Sequence, residues 1–93
     1  MNMKQTLVLD MLRRDERREV YEGAGENRKI GSGLFWVSFP EGELHQPLNV
    51  SEVKELVDLG YIRERFPGFY SQTILLRSNA GIQPSERSED RLE

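Results

Sequence analysis

The sequence predicts a small α+β domain. It is expected to hold an N-terminal helix, an antiparallel sheet of three or four strands, and a second short helix ahead of a C-terminal β-hairpin. Three observations carry that expectation. Apolar residues recur at helical spacing near the N-terminus and again over residues 50–59. An aromatic and β-branched run, Leu34-Phe35-Trp36-Val37-Ser38-Phe39, lies between them. Period-two alternation then flanks Pro67-Gly68. With 93 residues, 37% of them hydrophobic, the chain can build one modest core, which we assign to residues 1–77.

The first helix is expected over residues 2–18. Met3, Leu7 and Met11, with Val8 and Leu12, form the apolar stripe, and Leu9 falls outside it. Asn2 and Gln5 have the spacing of a capping box. Arg13, Arg14, Arg17 and Arg18 repeat at i,i+4 on the extended helix, so a four-arginine patch is possible there. Residues 22–33 hold Gly23, Gly25, Gly31 and Gly33 and read as turns or a loop. The strand 34–39 follows, and Pro40, Gly42 and Pro47 punctuate the connection to residue 48.

Asn49 and Glu52 repeat the capping-box spacing, and Leu48 with Val53 makes a hydrophobic staple. Val50, Val53, Leu56 and Val57 are the expected buried stripe of the second helix, ended by a left-handed Gly60. Residues 61–66 and 69–77 read as paired strands, with Ile62, Glu64 and Phe66 on one face and Tyr61, Arg63 and Arg65 on the other. Pro67-Gly68 suits a type II turn, whereas two-residue hairpin loops favour primed turns, so a longer loop is expected. Residues 78–93 offer only Ile82 and Leu92 as large apolar side chains and read as a disordered polar tail.

Composition narrows the chemistry. With no cysteine, disulfides, cysteine metal sites and thiol catalysis are excluded. His45, the single histidine, lies near Glu41 and Glu43 in a proline-bounded polar segment and reads as a surface residue rather than a general base. Gly31-Ser32-Gly33 lacks the glycine a dinucleotide fingerprint needs at position 36, where Trp36 stands. It also lacks the Gly-Lys-Ser/Thr ending of a phosphate loop and the spacing of a nucleophile elbow. No apolar run reaches the ~20 residues of a membrane span, and no signal peptide is visible. We therefore expect a cytoplasmic, non-enzymatic protein without cofactor or metal.

The stretch Asn49 to Arg77 resembles the second half of a winged helix-turn-helix domain. The matching residues are Glu55-Leu56-Val57-Asp58-Leu59-Gly60-Tyr61-Ile62, the Pro67-Gly68 turn and the return through Ile74-Leu75-Leu76. In that family a helix-turn-helix precedes the wing, whereas residues 22–48 here read as loop and strand. The resemblance implies a DNA-binding regulator. Charge argues against it, because 13 basic residues face 16 acidic ones, and the helix that would enter the groove carries Glu52, Glu55 and Asp58 against Lys54. DNA contact would then fall to Arg63, Arg65 and Arg77 with the first-helix arginines. The favoured expectation is a protein-binding regulatory or inhibitory module of a bacterium or phage. Its contacts would be Arg13, Arg14, Arg17, Arg18, Arg63 and Arg65, with Phe69 and Tyr70 as aromatic anchors at the hairpin tip.

Overall fold

The computed structural model describes residues 1–24, 27–38 and 46–79. His45, expected at the surface, and the segment 80–93, most of the expected tail, lie outside the described residues. The elements run α1 (Met3–Arg14), β1 (Glu19–Ala24), β2 (Asn27–Arg28), β3 (Phe35–Val37), α2 (Val50–Asp58), β4 (Ile62–Phe66), β5 (Phe69–Gln72) and α3 (Ile74–Asn79). The result is a small α+β fold with an N-terminal helix and an antiparallel sheet.

Helix α1 ends at Arg14, four residues before the expected boundary. Asp15 is the reason. Its backbone leaves the helical region at φ −150° and ψ 112°, and its Oδ1 accepts from the Arg17 amide at 2.9 Å. A short carboxylate that bonds the backbone two residues on competes with helix propagation. The buried face of α1 also differs from the expected stripe. Gln5, Val8, Leu9, Met11 and Leu12 face inward, while Met3 and Leu7 are 77% and 52% exposed. Positions 5, 8, 9 and 12 keep the helical period on a stripe rotated away from Met3 and Leu7, and Leu9 belongs to the core after all.

The strand absent from the sequence reading is the central one. β1 pairs with β3 along one edge (Val20↔Val37, Tyr21↔Trp36) and with β5 along the other (Val20↔Tyr70, Tyr21↔Phe69). β5 in turn pairs with β4, and β2 adds to the far end of β1. Five strands therefore take part, rather than three or four. The expected long return strand stops at Gln72. Thr73 turns the chain: its hydroxyl donates to the Gly60 carbonyl and accepts from the Leu76 amide, and α3 begins at Ile74. The alternation through Ile74-Leu75-Leu76 thus belongs to a helical turn that buries Leu76 and exposes Ile74.

One face of the sheet carries the core. Val20, Phe35, Val37 and Ile62 meet Val8, Leu9, Met11 and Leu12 of α1, Val53 and Leu56 of α2, and Leu76 of α3 in one cluster, with Leu48 bridging. Leu48 exchanges both backbone hydrogen bonds with Phe35 at 2.9 Å, which covers the β3 edge. In α2 the buried positions are Glu52, Val53 and Leu56, while Val57 is half-buried and Val50 is 50% exposed. Gly60 has φ +88°, and the Gly60 and Tyr61 amides bond to the Val57 and Leu56 carbonyls. That pair of bonds is the Schellman termination, which asks for a residue at ease with positive φ.

The two helix N-termini interlock. Both capping boxes form, Asn2 with Gln5 and Asn49 with Glu52. They are tied together by the Asn2 side-chain amide donating to Glu52 Oε2 at 2.6 Å. The Gln5 amide group donates to the Glu52 carbonyl at 3.1 Å and to Glu55 Oε1 at 2.8 Å. Lys4 Nζ stands 3.2 Å from Glu52 Oε1. Burial pushes the Glu52 carboxyl up, yet the Asn49 amide, the Asn2 amide group and Lys4 outweigh it and hold the carboxyl below its usual range.

Candidate functional site: the open face of the sheet

Cross-strand partners share a face of a sheet. The register therefore sets Trp36 of β3, Tyr21 of β1, Phe69 of β5 and Phe66 of β4 in one row on the face opposite the core. The helices pack on the other face through the cluster described above, so among the described residues this face is open. Phe66 and Phe69 stack with ring centroids 6.1 Å apart at 28°. Trp36 is half-buried, and its indole N–H donates to the Gly23 carbonyl at 2.9 Å.

Phe66 reaches this row through an irregularity in β4. Strict alternation would place it with Ile62 and Glu64, on the core side. The register shifts between Glu64 and Phe66, so that Glu64 pairs with Tyr70 and Phe66 with Phe69. A bulge adds one residue to a strand and re-aims the side chains beyond it. Here it leaves Phe66 58% exposed on the open face. The turn at Pro67-Gly68 has two residues, with Gly68 at φ +75°, the conformation a type II turn asks of its third residue. The bulge beside it accommodates a turn whose own twist does not match the strands.

Arginines ring the row. The Arg28 guanidinium lies over the Phe69 ring, 4.6 Å from its centroid, and Arg65 approaches Phe66 at 5.9 Å. Arg65 also donates to the Ser71 hydroxyl at 3.3 Å, and exposed Arg63 pairs with Ser71 across the strands. At the end of the row, Glu22, Arg28, Ile30, Phe66, Pro67, Gly68 and Phe69 enclose a cleft of about 320 Å³. Its wall is held in place by the backbone: the Glu22 amide donates to the Gly68 carbonyl at 2.8 Å. Glu22 Oε2 accepts from the Gly33 amide at 2.8 Å, which partly satisfies that carboxylate.

The expected contact residues separate. Arg63, Arg65 and Phe69 come together on the open face. Tyr70 turns to the core side, edge-on to Phe35 with centroids 5.9 Å apart, so it is not a tip anchor. Burial raises its hydroxyl pKa, and the Glu64 and Glu22 carboxylates add to the rise.

The four-arginine patch does not form, because α1 stops too early. Arg18 is 5% exposed and donates to the Met11 carbonyl at 2.9 Å, closing the end of α1. Arg13 is half-buried, Arg14 pairs with Asp10 at 2.9 Å, and Arg17 pairs with Asp15 at 2.8 Å. The hydrogen bond from Arg17 drives the Asp15 carboxyl far below its usual range. Arg77 is not on the hairpin either. It sits in α3 and donates to the Leu12 and Arg13 carbonyls at 3.1 and 2.9 Å.

Sequence reasoning missed Tyr21, Arg28 and the role of Phe66. Tyr21 and Arg28 lie in or beside a stretch read as loop, and the bulge that turns Phe66 has no signal in residue type. Among the described residues no group of three or more His, Asp or Glu side chains could hold a metal, and no helix is long and apolar enough to cross a membrane. Comparison of the chain with known protein families, curated proteins and solved structures finds no match.

Proposed function

We propose that this protein is a non-enzymatic protein-binding module of regulatory or inhibitory type, and that its binding surface is the open face of the sheet. The observation that supports this reading is the row Trp36–Tyr21–Phe69–Phe66 with Arg28, Arg63 and Arg65 around it. Aromatic and arginine side chains are the commonest energetic anchors of protein interfaces. Most surface aromatics are incidental, but four aligned across four strands opposite the core make a continuous patch of the kind that marks a partner site.

Binding of duplex DNA through the hairpin arginines is the competing reading. It is disfavoured by the net charge of −3 and by the acids Glu55 and Asp58, exposed on α2 where a recognition helix would need cations. The deciding experiment is affinity capture from a bacterial lysate, with and without nuclease, using the intact protein and Phe66→Ser. A protein that survives nuclease and is lost with Phe66→Ser supports the reading. Capture that depends on nucleic acid, or that ignores Phe66, refutes it.

A further inference from the structure

We infer that the cleft at the end of the aromatic row receives a short peptide segment carrying a large apolar side chain next to a carboxylate, with Arg28 as the carboxylate receptor. The inference rests on the open-face reading and names the chemistry of the partner. Ile30, Phe66, Pro67 and Phe69 supply apolar walls to a cleft of about 320 Å³, the lower end of the size range of small-ligand sites, which suits one side chain better than an extended surface. Ile30 and Phe66 are 64% and 58% exposed there, so apolar area is available for burial.

Arg28 stands at the rim with its guanidinium over Phe69. A guanidinium held over a ring face can still present its planar fork of N–H donors, the group that takes a carboxylate through two parallel hydrogen bonds. Among the described residues Arg28 forms no ion pair closer than 4.0 Å, whereas Arg14 and Arg17 are each paired with an aspartate. Glu22 also lines the cleft, with Oε2 accepting from the Gly33 amide, and its negative charge disfavours a ligand carboxylate beside it, which leaves Arg28 as the receptor.

The same contacts weigh against a nucleic-acid base as occupant. The Phe69 ring is already engaged by the Arg28 guanidinium and by the stacked Phe66, which leaves less of it for a base to stack on.

The test is a ¹H–¹⁵N NMR titration of the full chain with three probes. They are a blocked tetrapeptide alternating glutamate and phenylalanine, the same peptide with glutamine for glutamate, and a ten-nucleotide oligothymidine. The acidic peptide should shift the Arg28, Ile30, Gly68 and Phe69 amides saturably with Kd of about 1 mM, a weak affinity suited to a four-residue ligand. The glutamine peptide should bind about tenfold more weakly, the usual worth of a charge-assisted bond. Arg28→Gln should remove that discrimination, while Arg14→Gln should leave it intact. Equal binding of the two peptides, or no saturable shift at about ten times the expected Kd, overturns the inference. Tighter binding of oligothymidine at the same amides also overturns it, in favour of single-stranded nucleic acid. In the lysate capture, a partner lost with Phe66→Ser but kept by Arg28→Gln refutes the carboxylate receptor alone. A partner kept by both refutes the open-face reading itself.

Discussion

Replacing Glu52 with glutamine should cost this protein about 2 kcal/mol. Each carboxylate oxygen has a separate duty: Oε1 accepts from the Asn49 amide at 2.8 Å and faces Lys4, while Oε2 accepts from the Asn2 side-chain amide at 2.6 Å. Glutamine keeps one acceptor and turns the other into a donor, so one N–H group is left facing an N–H group. A fully buried donor without its acceptor costs about 1–3 kcal/mol, and these bonds, part-buried with Asn2 and Asn49 exposed, fall in the lower half of that range. Lys4 is about one-third exposed, so the lost ion pair adds at most about 1 kcal/mol more.

Urea unfolding reads the change directly. With a slope of about 1 kcal/mol per molar for so small a domain, the midpoint should fall by about 2 M. Acid adds a second signature. The folded state holds the Glu52 carboxyl below its ordinary value of 4.5, so its contribution is fully present above that pH. It is lost as pH falls through the lower folded value. The intact protein should therefore lose part of its stability on acidification below about pH 4.5, and Glu52→Gln should lose less over the same window. A midpoint within about 0.5 M of the intact protein, or identical acid profiles, would show that the two caps are not coupled through this carboxylate.

Three further comparisons separate packing from surface. Tyr70→Ser should destabilise the fold by about 2–3 kcal/mol, since the ring packs on Phe35 and the core, whereas Phe66→Ser should stay within about 0.5 kcal/mol. Equal thermal midpoints for the two variants would contradict their placement on opposite faces. Gly60→Val should cost about 2 kcal/mol in chemical denaturation, from positive φ and from a Cβ placed 3.0 Å from a Leu75 methyl; an unaffected midpoint would mean α2 ends elsewhere. Arg77→Ala removes the donor to the Leu12 and Arg13 carbonyls and should lower stability by about 1–2 kcal/mol. Amide exchange should then quicken first in the last turn of α1, and exchange unchanged there would argue against the cap.

Both helix N-termini and the end of α2 are legible in the residues themselves. Asn2 with Gln5, Asn49 with Glu52, and Gly60 act on backbone groups within four residues, so the signal and the partner lie in the same window. The early stop of α1 is legible in principle, because Asp15 is a backbone competitor, but the surrounding charge pairs read equally well as an exposed helix. The interlocking of the two capping boxes is not legible, since each is complete without the other.

Local chemistry in the sequence therefore determined where the helices begin and which turn residues punctuate the chain. It did not determine which faces are buried. β1 contains Gly23 and has only Val20 and Tyr21 as strand formers, yet it is the central strand because β3 and β5 pair with both of its edges. Arg18 reads as a surface cation, and it is buried because the chain reverses after α1 and brings the Met11 carbonyl to it. Phe66 reaches the open face through one bulged residue in β4, because the side-chain period of a strand is two and a shift of one moves a residue to the opposite face, whereas Tyr70 faces the core because its register partner on β1 is Val20. Register and bulge are set by partners distant in the chain, so the aromatic row on the open face exists only in the tertiary structure.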